Sequence, residues 1–304
     1  MTDQFIQMVS ERNPFQKKLL KDWQIREEER QELESILEFY TAGQGYSMEY
    51  LVDAYTFINT MVMEETYFFE RNKRYRNATF EEVNEIVYQN EEYMKKYMIG
   101  LCISDYIWIQ HLEMIRWFEQ ILQEKKSKQQ AETSEQRYLE IGPGLGQYLI
   151  RALKYGGFDD YLATDLSPTS VEQCKRYMNY RGIGETAYQI IQKDFFEFSS
   201  EQKYDCIVMG EVLEHVEQPL EMLKKIRSLL KEQGMAFITT VINAPAIDHI
   251  SLFRSEEEVL TLAREAGFVA QDHICVTAGG IPMDRAVKRR YAINIAMVLK
   301  GNAG

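Results

Sequence analysis

Three stretches of the chain carry residue types at spacings that chemistry can use. The first is Glu211-Val-Leu-Glu214-His215. On a helical turn, residues three and four apart share a face, so Glu211, Glu214 and His215 can converge. Two carboxylates and an imidazole suit a hard or borderline divalent ion such as Mg2+ or Zn2+, and His249 stands downstream as a further ligand. Without a metal the same residues can move protons. A neutral imidazole at His215 or His249, with an unperturbed pKa of about 6.5, can take a proton from an acceptor group beside Glu211.

The second stretch is Tyr138-Leu-Glu140-Ile-Gly142-Pro-Gly144-Leu-Gly146-Gln147. An apolar run ends in glycines and opens directly into a helical pattern, which lets the backbone approach a ligand and aims helix N-terminal N–H groups at it. The glycine spacing departs from the dinucleotide fingerprint, which needs Gly or Ala three positions after its second Gly, where this chain has Gln147. Glu140 precedes the glycines. A carboxylate there repels a pyrophosphate and attracts an amino group or a sulfonium. The third stretch is the pair of acidic run ends further along. Asp165, with Leu166 beside it, is placed to accept from both hydroxyls of a ribose, or else to help Ser167 cap the next helix. Asp194 can bond an adenine amino group, while Phe195 stacks or packs.

These residues need a frame, and the pattern from Arg137 onward predicts one. Short apolar runs at 138–141, 161–164, 189–192, 206–209 and 235–240 alternate with amphipathic stretches at 147–155, 168–181 and 219–231. Such alternation forces a parallel sheet with helices on both faces, since parallel neighbours need crossovers. After a helix at 255–266, β-rich runs at 274–277 and 291–299 are joined by a loop, which predicts an antiparallel closing hairpin. The fold class is α/β: a doubly wound, mostly parallel seven-stranded sheet with an antiparallel last strand, preceded by an all-α bundle.

In combination, LEIGPGLG, ATDLS, KDFFEF and the run Tyr204 to Val216 resemble the class I S-adenosylmethionine-dependent methyltransferases over roughly residues 137–300. The resemblance implies S-adenosylmethionine as cofactor, with Glu140, Gly142, Gly144 and Gly146 framing its methionine part. Asp165 and Leu166 would lie at the ribose, Asp194 and Phe195 at the adenine, and Gly210 with Glu211 along the cofactor. The Glu211, Glu214, His215 and His249 set also resembles the metal site of small-RNA 2'-O-methyltransferases, and Glu-Val-Leu-Glu-His-Val resembles a stretch of quinone-biosynthesis O-methyltransferases. The expected activity is methyl transfer to a small-molecule O or N acceptor in specialised metabolism. The alternatives are a cyclase or aminocarboxypropyl transferase that releases methylthioadenosine, RNA 2'-O-methylation, and a module that binds the cofactor without catalysis.

The 304 residues divide into 1–130, a helical cap for substrate or dimerisation, and 131–304, the cofactor-binding domain, with a polar linker at 125–136. In the first part the spacing predicts helices over 14–42, 47–71, 79–98 and 101–125, with Gly43, Gly45 and Gly100 at helix ends. Its many tyrosines are mostly core, with some hydroxyls turned to a polar ligand or partner. Lys and Arg number 35 against 47 Asp and Glu, a formal charge of -12, so nucleic acid is not an expected partner. No apolar stretch reaches membrane-spanning length, and the four cysteines show no paired spacing, which predicts a cytoplasmic protein with reduced thiols. A homodimer through the helical domain is an alternative use of that surface.

Overall fold

The computed structural model describes residues 1–21, 23–128 and 135–302. The N-terminal part is helical: α1 (Thr2–Arg12), α2 (Pro14–Lys21), α3 (Glu27–Glu38), α4 (Met48–Asn72), α5 (Phe80–Val83), α6 (Glu91–Ile107) and α7 (Ile109–Lys128). Its starts are written in capping residues. Asn13 accepts from the backbone N–H groups of Phe15 and Gln16, Ser47 from Tyr50, and Thr79 and Glu82 form a reciprocal box. Helix α1, with Phe5 and Val9 buried one turn apart, was not among the expected helices.

The expected helix end at Gly100 is not found. Gly100 lies inside α6, where an added Cβ would stand 2.3 Å from Ile58 Cγ1 and 2.6 Å from the Ala54 carbonyl oxygen. It marks a close crossing of α4 and α6. The chain breaks instead after the π-turn Asn84–Tyr88 and at Trp108, whose ψ of 118° separates α6 from α7. Helix α7 runs through Lys128, so the start of the expected linker is helical; positions 129–134 of that linker lie outside the described residues.

The sheet contains β1 (Arg137–Ile141), β2 (Asp160–Asp165), β3 (Gln189–Gln192), β4 (Tyr204–Gly210), β5 (Leu230–Ile242), β6 (Phe268–Thr277) and β7 (Ile293–Gly301) in the order β3-β2-β1-β4-β5-β7-β6. The first five strands pair in parallel and β7 runs antiparallel to both β5 and β6, as the alternation predicted. Crossovers α8 (Gln147–Arg151), α9 (Pro168–Tyr180), α10 (Pro219–Leu229) and α11 (Glu256–Glu265) flank it. The last connection holds a helix, α12 (Met283–Arg289), where a loop was expected.

Strand alternation divides the core. Leu139, Ile141, Ile207 and Met209 face α10 and α11, whereas Tyr138, Cys206, Val208 and Phe237 face the N-terminal helices. On that side Phe118 of α7 stands 4.8 Å from the Phe237 ring, and the same apolar cluster continues through Tyr106 and Tyr55 to Phe5. The helical layer thus shares one core with the sheet, and α7 already belongs to the layer that covers it. Among the described residues no helix is long and apolar enough to cross a membrane.

Because the Ala54 carbonyl cannot move aside like a side-chain tip, Gly100→Ala is expected to cost about 1–3 kcal/mol of stability. Urea unfolding of the two proteins checks this, and an unchanged midpoint would contradict the crossing.

Candidate active site

Five strands deliver their carboxyl ends to one edge, and the site is built from the turns and loops just beyond them. After β1 the glycine turn takes positive φ at Gly142 (66°), Gly144 (54°) and Gly146 (90°), which a side chain would strain. A Cβ on Gly142 would come within 2.7 Å of Val212, whereas Gly144 faces open space. Behind the turn Glu140 is buried and accepts from the Tyr138 hydroxyl at 2.6 Å. Burial pushes its carboxyl up to about 8, and the tyrosine donor only partly offsets that.

Asp165 ends β2, accepts from the Ser167 N–H at 2.8 Å, and is pushed up to about 6 by loss of water. Leu166 beside it is exposed. Asp194 accepts from the Phe196 N–H at 2.8 Å. Phe195, expected to stack on the adenine or pack, has a buried ring stacked on Phe198 at 5.9 Å.

At the end of β4, Gly210 lets the Tyr148 ring approach, since a Cβ there would meet it at 2.5 Å. Glu211 adopts φ 52°, which breaks the helical register expected from it to Glu214 and turns its carboxylate away. One oxygen accepts from Thr239 at 2.7 Å and the other from Asn294 at 2.9 Å. Withdrawal from water, with the nearby Glu214 charge adding, pushes Glu211 up to about 8.

The short 3-10 turn Leu213–His215 and the loop after β5 bring the remaining residues together. Ligand atoms of Glu214, His215 and His249 lie within 4.8 Å of one another, and the two imidazole rings meet edge to face at 4.9 Å. His215 Nδ1 lies 2.9 Å from the Asp248 carbonyl and His249 Nδ1 2.6 Å from that of Ala244. A carbonyl only accepts, so both rings carry the proton on Nδ1 and present an Nε2 lone pair. Burial, then the neighbouring His215, lowers His249 to about 4, so it is neutral at ordinary pH. Glu214 is fully buried; one oxygen accepts from Thr240 at 2.8 Å and the other has no hydrogen-bond partner among the described residues. Burial pushes it up to about 7.

The sequence reading expected a helical cap but did not say which of its residues reach the site. Tyr97 donates a short hydrogen bond to the buried Asp248, Tyr88 faces the same carboxylate, Tyr75 packs on the His249 ring at 5.7 Å, and Asn77 donates to the Ile247 carbonyl at 2.6 Å. The abundance of tyrosine was the only signal, and it names no residue.

A family model described as a methyltransferase domain matches residues 109–277, more than half of the chain and from the first residue of α7. The chain belongs to the class I S-adenosylmethionine-dependent methyltransferases. This methyltransferase is 28% identical over 111 residues to a ubiquinone biosynthesis O-methyltransferase of Histophilus somni, covering 36% of the chain and 46% of that relative. A second such enzyme, from Rickettsia felis, is 27% identical over 118 residues, covering 39% and 46%. The chain thus spans about half the length of these curated relatives. Among solved structures it is similar to PigF with SAH, at a TM-score of 0.53 and 14% identity over 83% of this chain and 73% of that one, which is a likeness of fold.

Glu140 holds a proton in the fold that the unfolded chain releases above 4.5, so its contribution to stability is complete below that pH and is lost as pH rises towards about 8. The melting temperature of the ligand-free protein is expected to fall over this window, and Glu140→Gln to flatten the fall. Parallel profiles for the two proteins would contradict the assignment.

Proposed function

We propose that the methyltransferase acts on a small-molecule O or N acceptor held between the helical layer and the carboxyl edge of the sheet. The observation that carries this is the convergence of Glu214, Asp248 and the two imidazoles into a buried group rich in acceptors. Such a group suits an acceptor that brings a hydroxyl or amino donor, and the formal charge of -12 disfavours RNA in the same place.

The residues after β1 and β2 fit the cofactor. Gly144 leaves room for it, Glu140 places behind the turn a carboxyl group that a bound cation would draw towards its ionised form, and Asp165 offers a carboxylate to ribose hydroxyls, with Leu166 beside it. When bound, S-adenosylmethionine supplies a methyl group on a positively charged sulfur. The chain's own work is alignment, exclusion of water by the tyrosines of α6 and the preceding turn, and proton removal. His249 and His215 take the proton on Nε2, each ring fixed by the carbonyl at its Nδ1. Incubation with S-adenosylmethionine and a panel of phenols and amines should yield S-adenosylhomocysteine and a methylated acceptor. His249→Ala should slow turnover by about 10²–10⁴-fold. Methylthioadenosine as the product, or full turnover in that variant, would overturn this reading.

The unpartnered Glu214 oxygen supports a second reading. Glu214, His215 and His249 offer two imidazoles and a carboxylate, a donor set that suits Zn2+ and leaves positions for an acceptor oxygen, whose pKa the ion would lower. Glu211 stays outside this group, held by Thr239 and Asn294. Calorimetry should then show one Zn2+ bound by the wild type and none by Glu214→Gln. Equal uptake by both, or none by either, removes the metal.

A further inference from the structure

Around the two imidazoles lie hydrogen-bond acceptors that have no donor among the described residues. Glu214 and Asp248 are 0% and 1% exposed, and Oε1 of the first and Oδ1 of the second are both without a partner there. Neither carboxylate forms an ion pair with Lys or Arg among the described residues; beside Asp248 stands only His215, whose Nδ1 is 3.4 Å from Oδ2. Each imidazole adds an acceptor of its own, since Nδ1 is spent on a backbone carbonyl and Nε2 has no partner among the described residues. Three separate elements hold this arrangement. The Ile250 and Ser251 N–H groups donate to the Glu214 carbonyl at 2.8 and 2.9 Å, which ties the loop after β5 to the turn after β4. Tyr97 of α6 donates to Asp248 Oδ2, which determines that Oδ1 is the oxygen left over. Both imidazoles are partly exposed while Glu214 is wholly buried, so a ligand group that passes the rings meets the carboxylates.

The number and spacing of these acceptors select a ligand. One ligand atom from each of Glu214, His215 and His249 lies within 4.8 Å of the other two. Acceptors that each stand about 2.9 Å from one tetrahedral nitrogen are about 4.7 Å apart, so a single nitrogen can serve a group of this size. A phenol or an alcohol brings one donor and leaves a buried carboxylate oxygen unanswered, which is costly. A primary ammonium brings three donors and a secondary one two, each with a full positive charge. That charge also answers Asp248, which has no Lys or Arg beside it among the described residues.

We propose that the methyl acceptor is a primary or secondary amine, which enters as its ammonium ion among Glu214, His215 and His249, with Asp248 balancing its charge. This rests on the methyl-transfer reading above and narrows its acceptor from oxygen or nitrogen to nitrogen. The step balances. One N–H proton passes to an imidazole Nε2, and rotation about the C–N bond turns the lone pair left behind towards the methyl carbon. The new N–C bond forms while the C–S pair stays on sulfur, so one positive charge ends on the methylated amine and the other on the imidazolium. A Zn2+ ion would take the same three ligands, so metal and ammonium exclude one another at this site.

The probe is methylammonium chloride, and its control is tetramethylammonium chloride, which carries the charge but no N–H. Each is titrated into the ¹⁵N-histidine-labelled full chain in EDTA, with and without S-adenosylhomocysteine, and His215→Gln and His249→Gln assign the two imidazoles. Methylammonium is expected to shift both Nε2 resonances saturably whether or not S-adenosylhomocysteine is bound, and tetramethylammonium to leave them unmoved. Glu214→Gln should weaken methylammonium binding by about tenfold or more. No saturable response, or an equal response to the two ions, overturns this inference. So does a response that S-adenosylhomocysteine abolishes, because the acceptors would then serve the cofactor's own ammonium. In the panel of phenols and amines, methylation of phenols alone overturns this inference and leaves the methyl-transfer reading intact, whereas methylthioadenosine as the product overturns both. Should Glu214→Gln fail to fold, the comparison of the two ions on the wild type decides the matter.

Discussion

A carboxylate taken out of water without a cation beside it is costly, and a fold that keeps several such groups on one edge must either protonate them or receive positive charge or donors from a ligand. Glu140, Asp165, Glu211 and Glu214 stand at the ends of β1, β2 and β4, and each is pushed above its ordinary range chiefly by burial. Together with Asp248 after β5 they form no ion pair with Lys or Arg among the described residues. A sulfonium, an ammonium or ribose hydroxyls meet that demand. The family cofactor carries all three, which supports reading the acid-rich edge and the glycine turn as one site.

The helical layer packs over part of that edge. Its core is continuous with the sheet through Phe118 and Phe237, so the cap is not a loosely hinged appendage. From it Tyr97, Tyr88, Tyr75 and Asn77 reach the loop that carries Asp248 and His249. The acidic edge is contributed by the sheet and the enclosure by the helices, and each is incomplete without the other.

How much of this was legible depends on how local the cause is. The glycine turn and Asp165 could be read because a positive φ and a strand-end acid are written in adjacent residues. Helix starts at Asn13, Ser47 and Thr79 were readable for the same reason. Gly100 was misread as a helix end because the Ala54 carbonyl that excludes its Cβ comes from another helix. Glu211 was placed on a face with Glu214 by counting helical positions, a count that its left-handed φ interrupts. The packing of Phe195 on Phe198 could not be read from the sequence, which left its ring either to stack or to pack. The bond from Tyr97 to Asp248 joins residues 151 apart in the chain.

The most direct measurement is titration calorimetry of S-adenosylmethionine into the wild type and Asp165→Asn. The acid-rich edge predicts one site in the wild type and an affinity weaker by about 10–100-fold in the variant, the loss of hydrogen bonds to a charged acceptor. No binding to the wild type, or equal binding by the two proteins, would contradict the placing of the cofactor on this edge.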